Sequence, residues 1–141
     1  VAQRLVRQIC ENCKEEKKIS EVVIAEIKKE IKDISEDELR KYGLNSGENP
    51  RFYHGKGCDA CNGSGFKGRL AIYEAVYVTD SIRNIIIEKA GSESAIKEES
   101  WRLGFLTIRQ DGILKVLKGL TNLEEVERVT GEKITVLEEE I

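Results

Sequence analysis

The sequence predicts an α+β chain: a short β-sheet, a helical insertion clamped between two cysteine pairs, and a C-terminal helical bundle. Three observations carry that prediction. The only four cysteines stand as two pairs with two-residue spacing, Cys10-Glu11-Asn12-Cys13 and Cys58-Asp59-Ala60-Cys61. Strand-like apolar segments lie just before the first pair and just after the second. From residue 80 onward, helix-capping residues and glycine stops recur at short intervals. We divide the chain accordingly, with residues 1–79 forming a metal-binding lobe with its strands and residues 80–141 forming a helical region.

Residues 1–9 place Leu5, Val6 and Ile9 among basic Arg4 and Arg7, the pattern of a short strand running into the first cysteine pair. Lys14-Glu15-Glu16-Lys17-Lys18 reads as a solvated charge run without a partner. From Ser20, the residues Val23, Ile24, Ile27, Ile31 and Ile34 make one apolar helical stripe. Ser35-Glu36-Asp37-Glu38 is a capping box for a second, short helix through Leu39 to Tyr42, with Gly43 as its stop. Asn45-Ser46-Gly47-Glu48-Asn49-Pro50 is a surface turn.

Residues 51–54 read as a strand entering the second cysteine pair. Arg69–Val78 is the best strand of the chain, rich in β-branched and aromatic residues. It is expected to be the central buried strand, with residues 1–7 beside it, because closing the cysteine clamp brings these two flanks together. Glu74 inside it is expected to pair with a cation such as Arg4.

The remainder reads as four helices. Thr79 or Asp80 caps one carrying Ile82, Ile85, Ile86 and Ala90, closed by Gly91. Ser92 caps the next, with Ala95, Ile96, Trp101 and Leu103, closed by Gly104. Thr107 opens a third, with Ile108, Ile113, Val116 and Leu117, ending at Gly119. Thr121-Asn122-Leu123-Glu124 is read as a capping box for a fourth, with Val126 and Val129, ending at Gly131. Residues Ile134 to Leu137 are expected to be extended.

Composition narrows the function. The chain of 141 residues has 35% charged residues but a net charge of only −3. With the signs interspersed there is no basic face for nucleic acid, and no apolar run reaches the roughly 18 residues a membrane span requires. Val1 enters mid-pattern, so the chain is expected to be a fragment of a longer protein.

The cysteines point to metal. Two two-residue-spaced pairs supply the four thiolates of a tetrahedral site, and Gly63 and Gly65 supply the positive-φ turns that wrap the second pair. A structural zinc on Cys10, Cys13, Cys58 and Cys61 is the leading reading. Its sulfurs are expected about 2.3 Å from the metal and about 4 Å from one another. Two disulfides or an iron–sulfur cluster are the alternatives for the same residues. His54, four residues before Cys58, is read as a polar residue on the entering strand rather than a ligand.

The ordered motifs resemble one family. They are Ala2-Gln3-Arg4-Leu5-Val6-Arg7 before the first pair, then Gly57-Cys58 through Cys61-Asn62-Gly63-Ser64-Gly65-Phe66-Lys67-Gly68-Arg69, then Ile72-Tyr73-Glu74. The run from Asp111-Gly112 through Lys115-Val116-Leu117 and Gly119-Leu120-Thr121 to Leu123-Glu124-Glu125-Val126, Arg128-Val129-Thr130 completes the set. It resembles the secretion ATPases of bacterial type II secretion and type IV pilus assembly, in their extension-motor branch.

That resemblance implies the end of a RecA-like P-loop ATPase: a zinc-binding insertion, the last core strands and a C-terminal helical region. It implies a homo-hexameric, ATP- and Mg2+-dependent motor, peripheral to the cytoplasmic face of the inner membrane, touching neighbouring subunits and inner-membrane platform proteins. No Gly-x-x-x-x-Gly-Lys-Ser/Thr loop occurs in the chain, so this piece is expected to be a structural and interaction module without catalytic or nucleotide-binding residues of its own. Two other classes compete for the same cysteines. A cysteine-rich domain of J-domain co-chaperones would use the Cys58–Gly65 motif in several repeats. A thiol oxidoreductase would use one exposed cysteine pair at a helix start.

Overall fold

The computed structural model describes residues 1–131, and the extended segment expected at Ile134 to Leu137 lies outside them. The elements are β1 (Ala2–Ile9), β2 (Lys14–Lys17), α1 (Glu21–Lys32), α2 (Glu36–Lys41), β3 (Phe52–Gly55) and β4 (Phe66–Glu74). Then follow α3 (Asp80–Glu88), α4 (Glu93–Arg102), α5 (Ile108–Leu117) and α6 (Leu123–Thr130). The architecture is α+β.

The strands form two antiparallel ribbons rather than one sheet: β1 with β4, and β2 with β3. The expected pairing of the two flanks holds, with Ala2 opposite Glu74, Arg4 opposite Ile72 and Val6 opposite Leu70. β4 differs from the expected strand in extent and position. It begins at Phe66, ends at Glu74, and has β1 as its partner among the described residues, with Ile72 buried and Leu70 half-buried. It is one side of a ribbon, not a central strand. The register slips between Arg7 and Ile9, a bulge that turns the chain toward Cys10.

The charge run at residues 14–17 is a strand, which corrects the sequence reading. Its side chains are largely solvated, but backbone pairing does not depend on apolar side chains. β2 pairs with β3 from Lys14 opposite Gly55 to Lys17 opposite Phe52. Cross-strand contacts suit the charges: His54 Nε2 lies 2.8 Å from Glu15 Oε1, and the Lys14 ammonium lies 4.9 Å from the Tyr53 ring centroid.

The helix starts lie where their capping residues place them. Ser20, Ser35, Thr79, Ser92 and Thr107 each accept a backbone N–H from the first turn. At Thr107 the cap is reciprocal, because the Gln110 side chain returns to the Thr107 N–H. Two details depart from expectation. Asn122, not Thr121, caps α6; Thr121 is buried and its Oγ1 donates to the Arg7 carbonyl at 2.8 Å. Ala90 is not on the α3 stripe: the helix stops at Glu88, and Ala90 takes a positive φ of 50°.

The core sits on α5. Val23 and Ile27 of α1, Phe52 of β3, Ile113, Val116 and Leu117 of α5, and Leu123 and Val126 of α6 form one buried cluster. Ile34, Leu39 and Leu114 form a second. Every residue from Gln110 to Leu117 is buried, so beyond its first two residues α5 runs between the ribbon and the other helices with no solvent face. Gly112 suits that crowding, since a Cβ there would lie 2.9 Å from Val126 Cγ1 and 3.3 Å from Ile72 Cδ1. The C-terminal helices pack as two pairs, α3 with α4 and α5 with α6. Trp101, expected on the packed stripe of α4, faces outward.

α5 and α6 also close the edges of the β1–β4 ribbon. On β4, Tyr73 N–H donates to Asp111 Oδ2 at 2.9 Å, and Lys115 Nζ donates to the Ala71 carbonyl at 2.7 Å. On β1, Arg7 N–H donates to Glu125 Oε2 at 2.8 Å and Ile9 N–H to the Leu120 carbonyl at 2.9 Å. Strand groups that another strand would satisfy are thus satisfied by these helices and the turn between them. Glu74, expected to pair with Arg4, instead accepts the first free N–H of α5, from Ile108 at 3.1 Å. Arg4 stands opposite Ile72, two residues out of register with Glu74. The positive end of a helix is also a favourable place for a carboxylate.

Candidate metal centre

Both cysteine pairs fold into the same tight turn. Cys13 N–H donates to the Cys10 carbonyl at 3.3 Å, and Cys61 N–H to the Cys58 carbonyl at 3.3 Å. In the second turn Asn62 is left-handed at φ 54°, and Gly63 and Gly65 both have φ 79°. The glycines do what their spacing predicted. The sequence reading did not credit Asn62, a residue type that tolerates this region.

Backbone contacts bring the turns together. β2 leaves the first turn and β3 enters the second, so their ribbon pulls both to one end. Lys56 N–H donates to the Cys13 carbonyl at 3.2 Å and Cys10 N–H to the Gly65 carbonyl at 2.9 Å. The approach is close enough to exclude side chains. A Cβ on Gly55 would lie 2.1 Å from the Gly65 carbonyl oxygen, and one on Gly57 would lie 2.7 Å from that of Gly63. Gly55 had no role in the sequence reading. Its only signal was its place between a strand and a cysteine pair.

All four predicted residues meet. The sulfurs of Cys10, Cys13, Cys58 and Cys61 lie within 4.8 Å of one another. Cys10–Cys58 and Cys13–Cys61 stand at 3.8 Å and Cys58–Cys61 at 3.7 Å. Those three separations match the edge of a thiolate tetrahedron, and 3.7 Å is far beyond the 2.05 Å of a disulfide. The cysteines are free, and His54 lies outside the group.

Amide donors face the sulfurs. Cys58 N–H and Gly65 N–H point at Cys61 Sγ, at 3.3 and 3.2 Å, and Asn12 Nδ2 donates to Cys58 Sγ at 3.2 Å. Burial pushes the Cys61 thiol up, but those two backbone N–H groups and the neighbouring thiols outweigh it, lowering it to about 6. The Asn12 amide likewise lowers Cys58, while burial drives Cys13 up to about 12. Soft sulfur donors at one point, with N–H groups aimed at two of them, suit a thiophilic metal ion. Asn12 was not singled out by the sequence, because it is one of two unremarked residues inside the first pair.

An α+β fold whose helices close a ribbon draws four thiols to one end, close enough together to hold a metal ion. The family model for the type II/IV secretion system protein matches residues 1–128, and the chain belongs to that family. It is similar to the type IV pilus assembly ATPase PilB of Thermus thermophilus, 43% identical over 129 residues, covering 89% of this chain and 13% of that protein. PilB of Pseudomonas aeruginosa is 36% identical over 130 residues, covering 92% of this chain and 20% of that protein. The type II secretion system protein E of Aeromonas hydrophila is 37% identical over 132 residues, covering 94% and 23%. The chain therefore spans less than a quarter of the length of these relatives. Among the described residues no helix is long and apolar enough to cross a membrane.

Proposed function

We propose that this chain is a C-terminal zinc-binding segment of a homo-hexameric secretion ATPase that drives type IV pilus assembly or type II secretion. The observation that carries the reading is the convergence of Cys10, Cys13, Cys58 and Cys61 in a chain of the secretion family. Zinc on four thiolates is a structural ion: it supplies cross-linking and folding energy and leaves no open position for chemistry. The cysteine residues hold it, the glycine turns aim them, and the β2–β3 ribbon transmits the clamp to α1 and α5. The end of a RecA-like core would then lie in residues 1–79 and the helical region in 80–141.

The parent motor would take ATP and Mg2+ and sit on the cytoplasmic face of the inner membrane. This segment would contact neighbouring subunits and inner-membrane platform proteins, and no nucleic acid. The family match leaves the co-chaperone reading without support.

Metal analysis of the purified chain tests the centre, with one zinc per chain expected. Well under one equivalent, with two disulfides by mass, overturns it. ATP turnover by the isolated chain is expected at the buffer blank. Turnover abolished by substitutions within the chain overturns the reading as a non-catalytic piece. In the full-length protein, Cys58→Ser is expected to cause local unfolding or aggregation before any clean catalytic defect, because structural zinc binding is coupled to folding at roughly 10–16 kcal/mol.

A further inference from the structure

The four cysteines are not equivalent toward solvent. Cys10, Cys13 and Cys61 are 1%, 4% and 6% exposed, whereas Cys58 is only half-buried. Cys58 is also the sulfur that receives a side-chain donor, the exposed amide of Asn12 at 3.2 Å. Cys58 is therefore the most exposed of the four residues to a reagent arriving from water, and the Asn12 amide lies beside it.

We propose that Cys58 is the modification point at which hydroperoxides open the four-thiol centre, and that Asn12 is the positioning residue that restrains the reaction. The proposal rests on the metal reading above. A thiolate is the reacting form, and oxidation follows thiolate character and access. The Cys58 sulfur attacks one peroxide oxygen. An S–O bond forms as the O–O bond breaks, giving Cys58 sulfenic acid and an oxyanion, hydroxide from hydrogen peroxide or alkoxide from an organic hydroperoxide, which buffer acid protonates. The sulfur loses two electrons and the peroxide gains them. The sulfur of Cys61 at 3.7 Å or Cys10 at 3.8 Å then attacks the sulfenic sulfur, forming a disulfide and expelling hydroxide. Two ligands are consumed, and the remaining pair cannot complete a tetrahedral site.

Asn12 restrains the first step for a definable reason. An N–H donor stabilises the sulfur anion, and a stabilised thiolate is the weaker nucleophile. With a charge-assisted hydrogen bond of ordinary strength, losing the donor should accelerate attack about three- to tenfold. Asn12 is exposed, so its replacement should leave the fold intact.

The test treats the purified, metal-bound chain with hydrogen peroxide and dimedone, following zinc release with a chromogenic chelator and locating the first adduct by peptide mass mapping. The expected first adduct is on Cys58, and Asn12→Ala and Asn12→Asp should release zinc about three- to tenfold faster than the unsubstituted chain. A first adduct on Cys10, Cys13 or Cys61 overturns the proposal, as does release from both variants at the original rate. Metal content before peroxide separates the two readings. Less than one equivalent overturns both, whereas full metal with an adduct elsewhere overturns this one alone.

Discussion

Asp111 Oδ2 accepts the Tyr73 backbone N–H at 2.9 Å, on the edge of β4 turned away from β1. The same oxygen lies 2.7 Å from Lys115 Nζ, whose ammonium reaches the Ala71 carbonyl and sits 4.4 Å from the Tyr73 ring centroid. Tyr42 donates its hydroxyl to the other Asp111 oxygen at 3.1 Å. One turn of α5 therefore serves as the neighbour that β4 lacks.

Removing one member of this buried pair should be costly. Asp111→Ala is expected to lose about 3–5 kcal/mol, because it strands the Lys115 charge and the Tyr73 N–H away from water. Asp111→Leu combined with Lys115→Met should cost clearly less than the two single changes added together. Urea denaturation of the four proteins of that cycle measures it, and additive costs would refute the coupling.

Glu125 should give the fold an acid limit. Its carboxylate is buried at 3% exposure and bonded to Arg7 and Arg128 at 2.8 Å each. Burial raises its pKa, but the bonds from Arg128 and Arg7 outweigh that and hold it near 2 against an ordinary 4.5. Between those values the unfolded chain binds more protons than the folded one, so stability falls as pH drops from about 4.5 toward 2. Glu125→Gln is expected to flatten that decline and to cost about 1–3 kcal/mol at neutral pH. The low end is favoured because both arginines are half-exposed and screened. Urea melts at pH 7, 4 and 3 provide the comparison.

Gly55→Ala should disrupt the centre from outside its ligand set. The added carbon would lie 2.1 Å from the Gly65 carbonyl, and backbone must shift to admit it. Gly63→Ala is the control, with open space around its Cβ but φ at +79°, for an expected cost of only about 1–2 kcal/mol. The Gly55 variant should lose bound metal where the Gly63 variant keeps it. Equal metal content in the two would contradict the close-approach account.

Glu74 and Arg4 separate two explanations of one carboxylate. Glu74→Ala should cost about 1 kcal/mol, by removing the acceptor at the start of α5. Arg4→Ala should stay within about 0.5 kcal/mol, since its guanidinium bonds only the adjacent Gln3 carbonyl among the contacts described. A larger loss from Arg4 would restore the pairing first expected from the sequence.

Local chemistry was legible in the sequence because its causes are local. Capping at Ser20, Ser35, Thr79, Ser92 and Thr107 needs only a side chain and the backbone three residues on. The α1 stripe follows from helical period alone. The four ligand candidates were identifiable because two-residue spacing predisposes each cysteine pair to one turn. The pairing of β1 with β4 could be inferred because those strands flank the clamp.

Tertiary structure alone decided the rest, where the controlling partner is distant in sequence. Lys14–Lys17 became a strand because β3 offered a ladder, which side-chain polarity does not encode. Glu74 chose an N–H of α5 over a cation of β1, a choice between neighbours that only packing creates. From Gln110 onward α5 is buried on every side, so no amphipathic signal marked it as the centre of the fold. Asn12 and Gly55 matter through contacts 46 and 10 residues away, with Cys58 and Gly65. The sequence by itself determined which residues can cap, turn and ligate; the folded chain decided which buried charges, edges and sulfurs meet, because desolvation and close approach depend on neighbours brought together in space.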